Sequence, residues 1–357
     1  MKKRIVAIAL TAAVAVSLAG CGGSSSGSSS SANTGSASAG STGTSTASVA
    51  STSGSAAGGK TIKLSMIVKT NDEHFMRVKA GADGYCKEHP NVSVDYMAPT
   101  SQTSYDEQNN AIETALSTDD YDGYVFAPIQ ADSCATLCQN ATKPIVAVDT
   151  DFQSDKKLSF IGTGNENATK EGAKVAVEKV KKSGVDKPTA AVITGTQGDP
   201  THDARLKGYK EGVEEAGGEV VDVQYTDMSP DQAALAMEGL MQKYPDGIDI
   251  VFSTADVFAM AASKVISDAD SEAFNKTLQC GFDGTNASTN AIKAGTMQMD
   301  IAQNGYDMGY KAVEAVVNAI NGQKIEEFID SGYTIVDPDS VDDYIQKLKD
   351  MGSYQES

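Results

Sequence analysis

The chain has no tryptophan, and aromatic residues make up only 6% of it, so no indole is available as a stacking platform or a membrane-interface anchor. Histidine occurs three times, at His74, His89 and His202, and no two share the spacing of a metal-ligand pair. No phosphate-cradling loop is written in the chain: Gly195-Thr-Gln-Gly198 follows an apolar run but lacks the Lys-Ser/Thr ending. No serine lies in a nucleophile-elbow phrase. These absences leave no expected metal or cofactor. Basic residues are also scarce. There are 29 Lys and Arg against 48 Asp and Glu, a net charge of −19. Such an acidic surface argues against nucleic acid and against electrostatic docking on anionic lipid. The five cysteines (Cys21, Cys86, Cys134, Cys138, Cys280) show no spacing of a disulfide framework. Cys134 and Cys138 stand at i,i+4; a small helix turning them inward accounts for both, and a redox or metal pair is the alternative. Cys86 and Cys280 read as core thiols.

What the N-terminus does contain is a leader pattern. Lys2, Lys3 and Arg4 precede Ile5 to Val16, apolar except for Thr11 and too short for a permanent span. Leu18-Ala19-Gly20-Cys21 resembles the lipobox of bacterial lipoproteins. That resemblance implies removal of residues 1–20 as a lipoprotein signal peptide and a lipid on the Cys21 sulfur. Two acyl chains would hold the protein at the outer face of the cell membrane. Without the three leader cations the net charge becomes −22, so membrane contact is expected through the lipid alone. Residues 22–59 are Gly, Ser, Ala and Thr except for Asn33 and Val49, with no charge. They cannot bury enough to offset chain entropy. Residues 21–59 therefore read as a lipidated cysteine and a flexible tether, its ends roughly 35 Å apart as a coil.

From Lys60 onward about 300 residues remain, which suits two modest domains better than one core. Short, near-continuously apolar runs alternate with amphipathic segments. The runs are Lys63–Val68, Val92–Met97, Gly123–Ile129, Ile145–Asp149, Leu158–Gly162, Ala190–Thr194, Val220–Tyr225, Ile248–Thr254, Leu278–Phe282, Met297–Ala302 and Tyr333–Val336. Such runs mark strands covered on both faces, hence parallel sheets flanked by helices: an α/β fold. Helices are expected around Phe75–Glu88 and over Asp106–Ser117, Asn167–Lys182, Asp203–Ala216, Pro230–Lys243 and Tyr306–Asn321, with a short extra one in 339–351. Ser229-Pro230 is a helix start and Gly217-Gly218 a stop.

The two halves echo each other. Asp122–Asp132 parallels Ile248–Asp256, and Pro144–Asp149 parallels Leu278–Asp283. Two similar α/β lobes follow. In such sheets ligands bind beyond the carboxyl ends of the strands. The strand-end groups are rich in carboxylates and amides: Asp72, His74, Asp149, Thr150, Asp203, Arg205, Asp256, Asp283 and Gln303. Acceptors of this kind suit a ligand with many hydroxyl or ammonium donors. Asp149 and Asp283, on matching strands, could clamp a polyhydroxylated ring from two sides.

The phrases Gly281-Phe-Asp-Gly-Thr285, Val148-Asp149, Arg205-Leu-Lys-Gly-Tyr209 and Asp300-Ile-Ala-Gln303, in this order of elements, resemble the ribose-binding branch of the type I periplasmic binding proteins. The resemblance spans residues 61–336. It implies two Rossmann-like lobes joined by three crossing strands: residues 60–164 plus 304–329, and residues 165–303 plus 330–357. Crossings are expected near 162–165, 303–305 and 326–330. It also implies a monomeric, extracytoplasmic receptor that delivers a sugar to an ABC transporter permease. A sensory subunit for a chemoreceptor or membrane kinase is the alternative, and a glycoside hydrolase with paired aspartates a remote one. By position, Asp72, His74 and Phe75 fall at the cleft, and Asp149, Asp283 and Gln303 match hydroxyl-binding positions. Two readings stand for Phe75, a ring face for the ligand or core packing, and two for Arg205, a ligand clamp or a helix-start residue. The chain departs from the family pattern where Thr150 and Asp203 replace arginines and Ala255 replaces asparagine. Those departures imply a ligand richer in donors than ribose: another sugar, a polyol or an amine-bearing analogue.

Overall fold

The computed structural model describes residues 60–354. The leader 1–20, Cys21 and the tether to residue 59 lie outside the described residues. Strand and helix alternate through the first half as β1 (Ile62–Ile67), α1 (Glu73–Glu88), β2 (Val92–Met97), α2 (Tyr105–Ser117), β3 (Gly123–Phe126), α3 (Ala131–Leu137), β4 (Ile145–Val148) and β5 (Lys157–Gly162). Next come α4 (Asn165–Lys182), β6 (Thr189–Thr194), α5 (Pro200–Glu215), β7 (Glu219–Tyr225), α6 (Pro230–Lys243), β8 (Ile250–Ser253), α7 (Asp256–Ala269), β9 (Leu278–Asp283), α8 (Asn286–Ala294) and β10 (Met299–Gln303). The order closes with α9 (Gly305–Ile320), β11 (Phe328–Asp330), β12 (Tyr333–Val336) and α10 (Val341–Asp350).

The strands form two six-stranded sheets, ordered β11-β5-β4-β3-β1-β2 and β12-β10-β9-β8-β6-β7. Inside each, five parallel strands repeat one doubly wound pattern, so β4 and β9 are equivalent, as are β3 and β8. Only the outermost strands differ: β11 runs parallel to β5, and β12 antiparallel to β10. The apolar runs become strands because both faces are covered. Every residue of β3, β4 and β8 is buried. In lobe 1, α1 and α9 pack on one face of the sheet and α2 and α3 on the other. In lobe 2, α4 and α5 cover one face and α6 and α7 the other. A further cluster joins α7, α8 and α10 through Ala259, Ile292, Val341, Tyr344 and Leu348.

Each lobe contains one helix pair in backbone contact. A Cβ on Gly81 of α1 would lie 1.8 Å from the Tyr306 carbonyl oxygen, and one on Gly309 of α9 would lie 1.8 Å from that of Val78. Gly208 and Gly212 of α5 meet the Glu166 and Lys170 carbonyls of α4 in the same way, at 2.1 and 2.2 Å. Only glycine permits so close an approach.

The chain passes between the sheets three times, after β5, after β10 and between β11 and β12. The third passage follows Asp330, at Ser331 and Gly332, rather than preceding it, because β11 belongs to the first sheet. With only Phe328-Ile-Asp330, β11 is too short to show a strand period, which is why it does not stand out in the sequence. Three helices also differ from the sequence reading. α7 and α8 are additional, and α5 starts at Pro200 because Asp199 caps it, accepting from the Thr201 and His202 amides. The small helix that turns Cys134 inward is α3. Cys134 and Cys138 are free, fully buried thiols.

Candidate functional site

The residues that end the matched strands are held in uncommon backbone shapes. Asp149, after β4, has φ 63°, and Asp283, closing β9, has φ 131°. A side chain at positive φ costs of order 1–3 kcal/mol and persists only where its surroundings enforce it. Both aspartates are thereby turned out of the strand line.

In lobe 1, Asp149 gathers the polar groups. His74 Nε2 lies 2.9 Å from Asp149 Oδ1, and the Thr150 hydroxyl donates to Oδ2 at 2.7 Å. Lys69 Nζ stands 3.8 Å from Oδ2. Burial opposes the charge on His74, but the hydrogen bond and charge of Asp149 outweigh it, so the imidazole is raised above its ordinary range. Burial likewise works against the Asp149 carboxylate, and the His74 hydrogen bond and charge reverse that, holding it well below the usual carboxylate range. Residues 69, 74 and 149 thus form a half-buried cluster in which two basic groups meet one carboxylate.

In lobe 2, Asp283 plays the matching part. Gln303 Nε2 donates to Asp283 Oδ1 at 2.8 Å, and Arg205 Nη1 lies 3.5 Å from the same oxygen. Arg205 is fixed from several sides. Its Nε donates to Asn165 Oδ1 and its Nη1 to the Thr254 carbonyl, both at 2.8 Å, and its guanidinium lies 3.7 Å from the centre of the Phe282 ring. The Thr163 hydroxyl, on the first crossing, donates to Gln303 Oε1 at 3.0 Å. Burial pushes Asp283 up to about 6; Arg205 pulls the other way and Asp256 adds to the rise. His202, 2.8 Å from the Thr254 hydroxyl through Nδ1, is depressed to about 4 by burial and by Arg205.

The two clusters face each other. The charge of Asp283 in lobe 2 acts on His74 in lobe 1, and that of Lys69 in lobe 1 acts on His202 in lobe 2. His74, Asp149, Thr150, Arg205, Asp283 and Gln303 are therefore brought together. The other sequence candidates lie outside this hydrogen-bonded set, although the charges of Asp72 and Asp256 reach His74 and Asp283. Asp72 is the exposed N-cap of α1, accepting from the Phe75 amide at 3.0 Å and from Gln102 at 3.3 Å. Phe75 is 3% exposed and lies in the lobe 1 core, its ring meeting His74 edge-on. Asp203 is half-buried in the first turn of α5, outside this bonded set. Asp256 turns inward and accepts from the Thr285 amide and hydroxyl at 2.8 and 2.7 Å.

Sequence reasoning did not single out Lys69, Asn165 or Thr163. Asn165 stood in the crossing segment Gly164-Asn-Glu-Asn167, and that position was its only signal. Behind the cleft, Asp300 is fully buried beside Asp256. Burial, then the Asp256 charge, raises Asp300 far above the carboxylate range, so it holds its proton. Among the described residues no cluster of His, Cys, Asp and Glu is arranged to hold a metal ion, and no helix is long and apolar enough to cross a membrane.

Two doubly wound lobes joined by three crossing segments make the architecture of the type I periplasmic binding proteins. The chain belongs to this family: the model of a periplasmic binding protein domain matches residues 62–324. It is 26% identical over 287 residues to the D-allose-binding periplasmic protein of Escherichia coli (strain K12), covering 77% of this chain and 88% of that protein. It is 23% identical over 285 residues to a ribose import binding protein of Salmonella typhimurium, covering 78% and 90%. Among solved structures, an arabinose-binding protein from Geobacillus stearothermophilus superposes with a TM-score of 0.72 at 21% identity, over 79% of this chain and 99% of that one.

Proposed function

We propose that this protein is an extracytoplasmic receptor that closes its lobes on a sugar or related polyol and delivers it to an ABC importer. The observation that carries the reading is the facing pair of acceptor clusters, Asp149 with His74 and Asp283 with Gln303. Neither cluster alone surrounds a ring, so the ligand gains its full set of contacts only on closure. That differential contact shifts the open–closed equilibrium. Support also comes from the relatives, which are named for D-allose and for ribose import.

The charges narrow the ligand class. Asp149 is already met by His74 and Lys69, and Asp283 by Arg205. Paired carboxylates still accept hydroxyl hydrogen bonds, but they offer no unmatched anion to an ammonium group. We therefore favour a neutral sugar or polyol over an amine-bearing one. A lipid on Cys21 and a tether through residue 59 would keep the receptor near a membrane permease. The reading requires no reaction of the bound sugar.

Thermal-shift screening of pentoses, hexoses, inositols, amino sugars and polyamines tests this directly, because a ligand of the folded state raises Tm. Stabilisation by a neutral sugar or polyol is the expected result. A response confined to polyamines would overturn the assignment.

A further inference from the structure

Glu73 and Arg77 are an i,i+4 ion pair in the first turns of α1. Most such pairs lie in solvent and contribute little. This one does not, since Arg77 is only 2% exposed. Its guanidinium leaves lobe 1 and enters lobe 2. Arg77 Nη1 donates to the Gly284 carbonyl at 2.7 Å and to the Tyr344 hydroxyl at 3.1 Å. Glu73 crosses as well. Its two carboxylate oxygens accept from the Asn286 amide at 2.9 and 3.1 Å. Asn286 is the first residue of α8, so Glu73 supplies an anion to that helix N-terminus from the opposite lobe.

Both sides of this contact are stiffly mounted. α1 is locked to α9 by the backbone contacts at Gly81 and Gly309, so Glu73 and Arg77 move with lobe 1. On the other side Asp256 clamps the Thr285 amide and hydroxyl next to Gly284. Tyr344 comes from α10, whose apolar face packs with α8 and α7, and its hydroxyl also lies 3.3 Å from the Gly284 carbonyl. Every bond is between protein groups, so forming them needs no ligand atom.

We propose that Glu73 and Arg77 form an interlobe latch, with Gly284, Asn286 and Tyr344 as its keeper, that sets the closed fraction of the protein and through it the affinity for ligand. Apparent affinity scales with the population of the binding-competent state, so a weaker latch lowers affinity without touching a ligand contact. Arg77 and Glu73 are then positioning residues, and α10 gains a role as the support for Tyr344. The affinity part rests on the sugar-binding reading; the closed fraction does not.

The test uses the full chain with a donor and an acceptor dye at Lys87 and Lys182, both exposed and in different lobes, introduced as non-canonical amino acids. Single-molecule energy transfer without sugar is compared for wild type, Arg77→Met and Tyr344→Phe. The long-distance population should grow in both variants, more in Arg77→Met. Binding of D-allose and D-ribose should weaken roughly tenfold in Arg77→Met and less in Tyr344→Phe, chiefly through faster dissociation. Tyr344→Phe removes one hydroxyl from a packed ring, so it carries the test if Arg77→Met does not fold. Unchanged distance distributions in the folded variants would overturn the latch. Failure of both sugars to bind any variant would count against the ligand class, while the distances still decide the latch.

Discussion

The imidazole of His74 and the carboxylate of Asp149 lie 2.9 Å apart and shift each other in opposite directions, His74 up and Asp149 down. Each is kept charged by the other in a place where burial alone would neutralise both. The raised histidine contributes stability below its unfolded value, and that contribution is lost as pH rises through its folded value. The depressed aspartate contributes above the ordinary carboxylate range, and that part is lost only in strong acid. The pair is therefore worth most between those limits.

Replacing Asp149 with Ala should weaken sugar binding roughly tenfold or more, the equivalent of one charged hydrogen bond of about 1.5–3 kcal/mol. It should also lower the His74 pKa, because burial is then opposed only by the weaker pull of the Asp283 and Asp72 charges. Calorimetry and an NMR titration of the imidazole check the two effects. An unchanged affinity would remove Asp149 from the site.

Two groups near the cleft respond to acid with opposite sign. His202, depressed to about 4, favours the neutral ring in the folded state, so stability falls as pH drops from the ordinary histidine range toward 4. Asp283, raised to about 6, favours its protonated form, so over roughly pH 4 to 6 it gains stability as pH drops. These two contributions should largely cancel in that window. His202→Asn should leave the Asp283 trend exposed, with Tm rising toward pH 5. Ligand affinity should fall below about pH 6 as Asp283 loses its charge, and Asp283→Asn should flatten that fall.

Asp300 retains its proton beside Asp256, whereas in an unfolded chain it would be ionised at neutral pH. Its raised folded pKa means that stability declines as pH climbs above the ordinary carboxylate range. An amide at this position could donate to Asp256 without that cost. Asp300→Asn should thus raise Tm at pH 7 by roughly 2–4 °C and reduce the gain seen on acidifying the wild type. A lower Tm at pH 7 in a folded variant would refute the protonated state assigned to Asp300.

Gly309→Ala should be among the more damaging single substitutions in lobe 1. The new methyl would meet the Val78 carbonyl oxygen at 1.8 Å, and backbone cannot yield as a flexible side chain can. A loss of about 3 kcal/mol or more is expected, read from denaturant midpoints. Gly239→Ala, with open space around its Cβ, should cost nothing and serves as the control.

Much of this was legible from the chain. Continuous apolar runs such as Ile145–Val148 and Ile250–Ser253 announce strands covered on both faces, and their repetition announces two lobes. Asp149 and Asp283 stand out because each closes an apolar run at the same place in its half. Asp72 and Phe75 take structural roles that position alone does not reveal. Both lie at the start of α1, beside His74, yet helix geometry gives one to the cap and the other to the core. Glu73 and Arg77 could not be found from local pattern. In sequence they look like a solvated helix pair, and their partners lie more than 200 residues away. Lys69 and Asn165 were hidden for the same reason: nothing local distinguishes a polar residue that meets a distant carboxylate or guanidinium.

The three passages between the sheets also bear on how the chain acquires its shape. Lobe 1 cannot be completed by its first hundred residues. α9 covers its sheet with Met308, Val313 and Val316, and β11 supplies its outermost strand, so both must arrive from beyond Asn304. During synthesis the early strands therefore wait, with one apolar face uncovered, until almost the whole polypeptide has emerged. For a cytosolic protein that delay is a hazard. Under the proposed extracytoplasmic role, the same delay would leave the nascent polypeptide open for transit.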